Sequence, residues 1–476
     1  MGYEIETPGA AFGVPDTPIQ WLQYLLAKYE GNLDRIKRFA EYYEGEHQRM
    51  MFAQAKFSNA FGEAFSSWSD NFCGLIVDSV NERMKIEGFR MADTPEADNA
   101  AQKIWERNFL DADSNAAHLD AMIQGASYGV VWWGEDGEPA ITIESAENMA
   151  VQYMPGSRRE LVAAAKFLTD DWGRQYATLW MADAVYEFET YDGDWVGSSE
   201  GIPNPLGVIP VVPINNRSRL TGDPLSDLDS IIPLQDAINK TVADALVASE
   251  YAAWPQRYVT GLEIQEDADG NPIEPFRVAV DKLLQAEDPG ASFGQFEAAD
   301  LGNYSTLVTM LVQHLASASR IPFHYFLQGA VIPSGDAITS AEAGLISKTR
   351  ERMLHFGEAW ERIMLLAFRV MGQDLEPGAI EVLWRDPEHR TEAQHIDSLV
   401  KKLSLGVPRQ QLWEDAGYSP SQISRFTSML EQQEKMQEQF PSINPQPAKA
   451  APTAEEEADK APRGNSENAA REKAGV

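Results

Sequence analysis

Apolar residues recur three or four positions apart over most of this 476-residue chain, the period of helices buried along one face. Trp21, Leu22, Leu25, Leu26, Tyr29, Leu33, Ile36, Phe39 and Tyr43 predict a helix over 21–43, split at Gly31-Asn32. Phe72, Leu75, Ile76, Val80 and Met84 predict another over 71–84. Shorter helices follow over 98–108 and 116–125, the second capped by Asp113-Ser114. From Ser127 the period falls to two. Residues 128–133 and 140–143 flank the acidic turn Glu135-Asp136-Gly137-Glu138, which predicts a hairpin. Strands follow over 163–169, 175–181 and 184–190, and Tyr191-Asp192-Gly193-Asp194 predicts a turn into Trp195-Val196. Residues 207–215 are apolar but carry Pro210 and Pro213, which cannot donate to a ladder, so they predict an edge strand or a crossing connector. The predicted fold class is α+β and mainly helical, with a β-rich unit at 128–215 beside the N-terminal helices.

The helical period returns at Pro224, with Asp223 as N-cap. Leu228, Ile231, Ile232, Ile238, Val242, Ala245 and Leu246 carry it to Trp254, where Pro255 ends it. Residues 256–298 break the pattern with strand-like runs and the turn Asp269-Gly270-Asn271-Pro272. Acids outnumber bases three to one there, which predicts a solvated or partner-facing tip. Helix resumes near 299 with Leu301, Tyr304, Leu307, Val308, Leu311, Val312 and Leu315, and stops before Pro322. Residues 327–339 hold two glycines and a proline and predict a flexible loop. Residues 340–371 contain no proline. Ile346, Thr349, Met353, Phe356, Trp360, Ile363, Ala367 and Met371 predict a helix of roughly 45–50 Å there, with Gly357 as a site for a kink. A short strand over 380–384, helices over 391–405, 409–416 and 419–437, and a disordered tail from Phe440 complete the chain. The striped helices between 225 and 371 carry more apolar surface than one chain can cover, which predicts a subunit of a larger assembly.

Charge narrows the function. Thirty-nine basic residues stand against 73 acidic ones, a formal net charge of -34. Tight gripping of nucleic acid needs the opposite sign, because Lys and Arg must replace released counterions. Cys73, the single cysteine, lies in the apolar run 72–77 and predicts buried packing in a reducing compartment. No basic stretch followed by an apolar core opens the chain, and no apolar run reaches membrane-spanning length. A protein made in a cytoplasm, with no membrane partner, is expected.

Chemistry is sparse. There is no Walker-type phosphate loop and no Gly-x-Gly-x-x-Gly. His389 and His395 are six apart, which is not a metal-ligating spacing, and the other histidines are isolated. Asp223, Asp227 and Asp229 fit either a divalent-cation site or the carboxylate-rich start of a helix. Arg350, Arg352, Arg362 and Arg369, set among Glu351, Glu358 and Glu361, fit ion pairs on a solvated helix face or a basic face for DNA or a motor. No catalytic residue, metal or cofactor is predicted. The rival classes are a metal-dependent enzyme acting on DNA or nucleotides through Asp223 and Asp227, and a scaffold or adaptor without a channel.

Several local runs, in this order, carry a resemblance: Tyr42-Tyr43-Glu44-Gly45-Glu46-His47; residues 71–78 with Val80-Asn81-Glu82-Arg83 and Glu87-Gly88-Phe89; Ile104-Trp105 leading to Gly125-Ala126-Ser127-Tyr128; residues 207–215 and 226–240 with Pro255-Gln256-Arg257; and Ser340-Ala341-Glu342-Ala343. Over about 20–435 the chain resembles the portal proteins, the head-to-tail connectors of tailed bacteriophages, in the branch typical of long non-contractile tails. The resemblance implies a non-enzymatic, mushroom-shaped ring, usually a dodecamer, at one capsid vertex of the virion, assembled in the host bacterial cytoplasm. It implies a wing (1–223), stem helices (224–255 and 299–326), a clip (256–298), a tunnel loop (327–339), a long wing helix and strand (340–384), a crown (385–437) and a disordered tail (438–476). Gly329, Val331, Ile332, Pro333, Ser334, Gly335 and Asp336 would face DNA from the tunnel loop. Glu263, Glu266, Asp267 and Asp269 of the clip would face terminase and head-tail adaptors. Ile231, Ile238, Val242, Leu307 and Leu311 would pack the stem against neighbouring copies. Major capsid and scaffolding proteins, and double-stranded DNA passing without sequence specificity, are the other implied partners. A ring of ~12 such chains carries roughly -400 formal charges, so its bore repels the DNA backbone and lets it slide. Residues 327–339 hold no Lys or Arg, so the loop is expected to grip sterically through Val331, Ile332 and Pro333.

Overall fold

The computed structural model describes residues 14–46, 70–91, 98–198, 200–220, 223–253, 257–261, 290–296, 300–326, 335–388, 392–418 and 420–439. Helix α1 (Pro18–Glu44) opens with a proline at its first position and ends on Gly45, whose φ of 86° few other residues adopt. The expected split does not occur. Gly31 lies inside the continuous helix, with open space where a Cβ would stand. Helix α2 (Phe72–Asn81) is capped by Asn71, which accepts from the Cys73 and Gly74 amides, and leads to strand β1 (Ile86–Met91). Asp98 caps α3 (Asn99–Arg107) in the same way. Helix α4 (Leu110–Gln124) starts six residues before the predicted 116, after Phe109 in a left-handed turn (φ 55°). Asp111 and Asp113 then lie in its first turn, where the helix dipole favours acids, and Asp111 accepts from Trp105 Nε1 at 2.9 Å.

The β-rich unit forms two antiparallel sheets. In the first, β2 (Ala126–Trp133) and β3 (Pro139–Ser145) make the predicted hairpin. The second is built from β4 (Met149–Tyr153), β5 (Leu161–Thr169), β6 (Gln175–Trp180), β7 (Ala184–Tyr191) and β8 (Asp194–Gly197), with the short β9 (Ile202–Pro203) also on β7. Asp192 and Gly193, both at positive φ, turn β7 into β8. Strand β10 (Val211–Asn215) adds to the free side of β2 and makes the order β10-β2-β3, so its proline sits on an edge as expected.

Beyond this unit come α5 (Ile232–Ala253), β11 (Arg257–Thr260), β12 (Ser292–Gln295) and α6 (Gly302–Ser319). A 3-10 turn (Phe323–Tyr325), α7 (Gly335–Val370), β13 (Ile380–Trp384), α8 (Glu392–Ser404), α9 (Arg409–Asp415) and α10 (Pro420–Gln439) follow. Helix α5 begins eight residues later than predicted, and Asp223 caps nothing. The amides that an earlier start would need are spent elsewhere: Leu225 N donates to Asn216 O at 3.1 Å and Asp227 N to Met122 O at 2.9 Å. The long helix is 36 residues and uninterrupted through Gly344 and Gly357. A Cβ at Gly357 would stand 3.2 Å from Trp384 Nε1, so this glycine lets the indole approach.

Helix α7 lies across the β10-β2-β3 sheet, where Gly129 leaves room for Ile363. Around it Phe89, Trp105, Phe356 and Trp360 fill the main core, with Trp105 and Trp360 edge to face at 5.2 Å. Helix α1 covers the larger sheet through Leu22 and Leu25 over Ala163, Phe167 and Leu179. Strand β13 is not solitary. It pairs antiparallel with β1, Phe89 opposite Val382 and Met91 opposite Ile380.

Candidate functional site

The features most unlike an ordinary compact domain lie where α5, α6 and α7 converge. Helices α5 and α6 pack together, and beyond them β11 pairs with β12 in register from Arg257–Gln295 to Thr260–Ser292. The apolar stripe of this pair is mostly used inside the chain. Ile231 and Ile238 are fully buried in the main core, and Val242 and Leu311 are half-buried against it. Ile231 and Ile238 are therefore corrected from neighbour-facing to intramolecular packing positions, since no surface of theirs is left for a neighbour to cover. Leu307 differs: it is 41% exposed, alongside Leu301 and Met310 on α6 and Tyr258, Phe293 and Phe296 around the paired strands. The Tyr258 and Phe296 rings stand 5.1 Å apart.

At the root of α5 lies a buried charge cluster. The Asp227 carboxylate accepts from Arg352 Nη2 at 2.9 Å and Asn216 Nδ2 at 3.0 Å on one oxygen, and meets Lys348 Nζ at 2.9 Å on the other. All three charged side chains are nearly sealed from solvent. Burial alone would raise the Asp227 pKa, but the Lys348 ammonium and Arg352 guanidinium outweigh it and hold the carboxyl far below the usual carboxylate range. Both oxygens are thus engaged by the chain's own cations, while Asp223 and Asp229 are exposed. The three aspartates do not converge on a cation site. Among the described residues no three His, Cys, Asp or Glu side chains do.

The arginines of α7 also differ from expectation. Arg352 is buried rather than on a solvated face. Arg350 pairs with Asp386 at 3.3 Å, Arg362 donates to the Arg159 carbonyl at 2.9 Å, and Arg369 pairs with Asp374 at 3.5 Å, so they tie α7 to other segments. The signal for the cluster was present in the chain: Lys348 and Arg352 are four apart and adjoin the buried stripe of a long helix, where charges are rare unless paired.

Both flanks of segment 327–334 are anchored. On the N-terminal side Arg83 Nη2 donates to Tyr325 Oη at 2.7 Å, Tyr325 Oη donates to Glu342 Oε1 on α7 at 2.8 Å, and Phe326 packs edge to face on Phe72 at 5.6 Å. On the C-terminal side the chain is already helical at Gly335, so Gly335 and Asp336 belong to the first turn of α7 rather than to a loop. Gly329, Val331, Ile332, Pro333 and Ser334 lie outside the described residues, as do Glu263, Glu266, Asp267 and Asp269. His389 is outside them too. The remaining notable histidine, His118, is wholly buried. It accepts from Trp360 Nε1 at 2.8 Å and stacks on Phe356, and burial lowers its pKa to about 3. It is a core residue.

Residues 22–446 match the family described as phage portal protein, SPP1 Gp6-like. The chain belongs to that family. A portal protein of Mycobacterium phage L5 is 32% identical over 371 residues, 72% of this chain and 75% of that protein. The portal protein of Mycobacterium phage D29 is 31% identical over 373 residues, with the same coverage. Among solved structures, a chain of the "neck of empty GTA particle computed with C6 symmetry" superposes with a TM-score of 0.43 at 13% identity, covering 79% of this chain and 92% of that one. A chain of the "neck of native GTA particle computed with C12 symmetry" gives 0.41 at 13% identity, covering 76% and 91%. The portal family is structural, and its members are phage virion components. No helix among the described residues is long and apolar enough to cross a membrane.

Proposed function

We propose that copies of this chain close into a ring, with twelve as the expected number, and that the ring is the DNA conduit at one capsid vertex. The observation that carries this is the family match across 22–446, which takes in every element from α1 to α10. In this arrangement α5 and α6 form the stem, and Leu301, Leu307 and Met310 supply apolar surface for a neighbouring copy. Residues 256–298 form the clip, where Glu263, Glu266, Asp267 and Asp269 meet terminase and later the head-tail adaptors. Residues 327–334 form the tunnel loop, its N-terminal flank held by the Tyr325–Glu342 and Phe326–Phe72 contacts and its C-terminal flank running into α7, and it grips DNA sterically through Val331, Ile332 and Pro333. The N-terminal helices and sheets, with α7 and β13, form the wing that meets major capsid and scaffolding proteins, and α8–α10 form the crown. Assembly takes place in the host bacterial cytoplasm. The net charge of -34 per chain suits a bore through which a polyanion slides.

Negative-stain microscopy of the purified protein, with its native mass, tests the ring: annular particles of many subunits are expected, and compact single particles overturn it. Ile332→Gly tests the loop. Loss of DNA retained after packaging is expected, and full retention rejects steric gripping. Charge reversal at Glu263, Glu266 and Asp267 is expected to impair tail joining; normal joining rejects the clip assignment.

A further inference from the structure

Two of the three C-terminal helices, α8 and α10, carry apolar side chains that their own chain leaves uncovered. The three helices stand over β1 and β13 across a cleft of about 840 Å³. The α8 residues lining that cleft are His395, Ser398 and Lys402, three and four apart, so α8 turns a polar face toward its own body. Across the cleft stand Lys85, Glu87, Arg90 and Arg385 beside Val382, Leu383 and Trp384, with Arg90 reaching Glu414 of α9 at 3.7 Å. Leu399 is half-buried on that inward face, but three other apolar residues of α8, Ile396, Val400 and Leu403, share a different face and are between 46% and 59% exposed. Helix α10 half-buries Ile423, Phe426 and Leu430, with Phe426 against Trp413 and Tyr418, and leaves its methionines outside. Ser424, Thr427, Ser428 and Glu431 line the cleft beside Ile423, while Met429 and Met436, two turns apart, are 59% and 67% exposed. Among the described residues of the three helices, Leu412 is the only buried apolar side chain. A helix in its final surroundings turns its apolar stripe inward. Helix α8 leaves Ile396, Val400 and Leu403 in solvent, and α10 leaves its two methionines there.

We propose that the apolar back of α8 packs on the methionine-bearing back of α10 from a second copy. This rests on the ring arrangement proposed above. Two observations select that occupant. Five half-exposed side chains fall far short of the ~800 Å² per partner that holds a free-standing complex together, so whatever covers them is kept in place by contacts elsewhere, as a ring neighbour is. Each chain also presents two different patches on two helices, with α9 packed against both. A head-to-tail contact that closes by rotation needs two unlike patches on one subunit. Unbranched methionine side chains adapt their shape to the branched Ile396, Val400 and Leu403.

Disulfide trapping tests this in the full-length protein. The one native cysteine, Cys73, is buried, so introduced cysteines report alone. Val400→Cys/Met429→Cys and Leu403→Cys/Met436→Cys are oxidised with copper phenanthroline and separated without reductant. A ladder at multiples of 52.9 kDa is expected from at least one double variant, and monomer bands from each single variant. Annular particles by microscopy with no ladder from either double variant overturn this contact and leave the ring standing. Particles without a ring overturn both. A dimer band from a single variant means that a patch meets its own copy, and an intrachain disulfide in a double variant means that the two backs meet within one chain; either rejects the head-to-tail pairing. Val400→Asp, on a solvent-facing position, is expected to leave the subunit's circular dichroism unchanged and to lower the urea concentration that dissociates the ring. An unchanged dissociation midpoint counts against the contact.

Discussion

Asp227 and Arg352, 125 residues apart in sequence, meet at 2.9 Å with both side chains sealed from solvent. With Lys348 on the other carboxylate oxygen, the cluster holds two cations against one anion. Removing the anion leaves the buried Lys348 ammonium uncompensated and Arg352 with only the half-exposed Glu351 carboxylate, at 3.5 Å. Asp227→Asn is therefore expected to cost about 3–5 kcal/mol. Lys348→Met leaves a balanced Asp227–Arg352 pair and is expected to cost less. Urea midpoints of the two variants decide it, and the reverse order would show that the pair with Arg352 is not self-sufficient.

His118 gives the fold an acid-sensitive component. Burial holds its pKa down to about 3, against about 6.5 in the unfolded chain. Between those values the unfolded state binds a proton that the folded state does not. This contribution is complete above about pH 6.5 and is lost as pH falls toward 3, by about 1.4 kcal/mol per unit. From pH 6.5 to 5 the wild type is expected to lose about 2 kcal/mol more than His118→Phe. Parallel pH profiles by denaturant titration would show that the ring is not held neutral.

Gly125 joins α4 to β2 at a φ of 100°, and a Cβ there would stand 3.0 Å from the Pro224 carbonyl oxygen. Two penalties combine, one of backbone conformation and one of contact. Gly137 has a φ of 82° and open space around it, so Gly137→Ala isolates the first. Gly125→Ala is expected to destabilise by about 1–3 kcal/mol and by clearly more than Gly137→Ala. Equal melting shifts would mean that the carbonyl moves aside freely.

Cys73 is fully buried, and burial pushes its thiol up to about 12. The thiolate is the reactive form. Ellman's reagent is expected to find no thiol in the native protein at pH 8 and one per chain in 6 M guanidinium. Stoichiometric labelling of the native state would show that α2 opens readily.

What the sequence made legible was local. The β2–β3 hairpin, the β7–β8 turn, the edge placement of Pro213 and the long run of α7 follow from period, turn chemistry and proline. The misplaced boundaries have distant causes. Helix α5 starts late because its would-be first turn donates to Met122 and Asn216, and α4 starts early because Phe109 takes a left-handed turn. Ile231 and Ile238 show the limit for the candidate site. A stripe states that a face is covered, but not whether the cover comes from the same chain. Of the five stem positions Leu307 is exposed, and Val242 and Leu311 are half-buried.

The pairing of β1 with β13 sets an order on synthesis. Met91 waits for Ile380 across about 290 residues. At bacterial elongation rates that interval lasts roughly 15–60 s. Throughout it β1 leaves the ribosome without its mate, a hydrogen-bonding edge open to the same segment of a sister nascent chain on the polysome. In the ring proposed above, a chain that later meets many copies of itself thus passes through a stage in which meeting one too early is a hazard, and the last of the described strands to be translated closes that window.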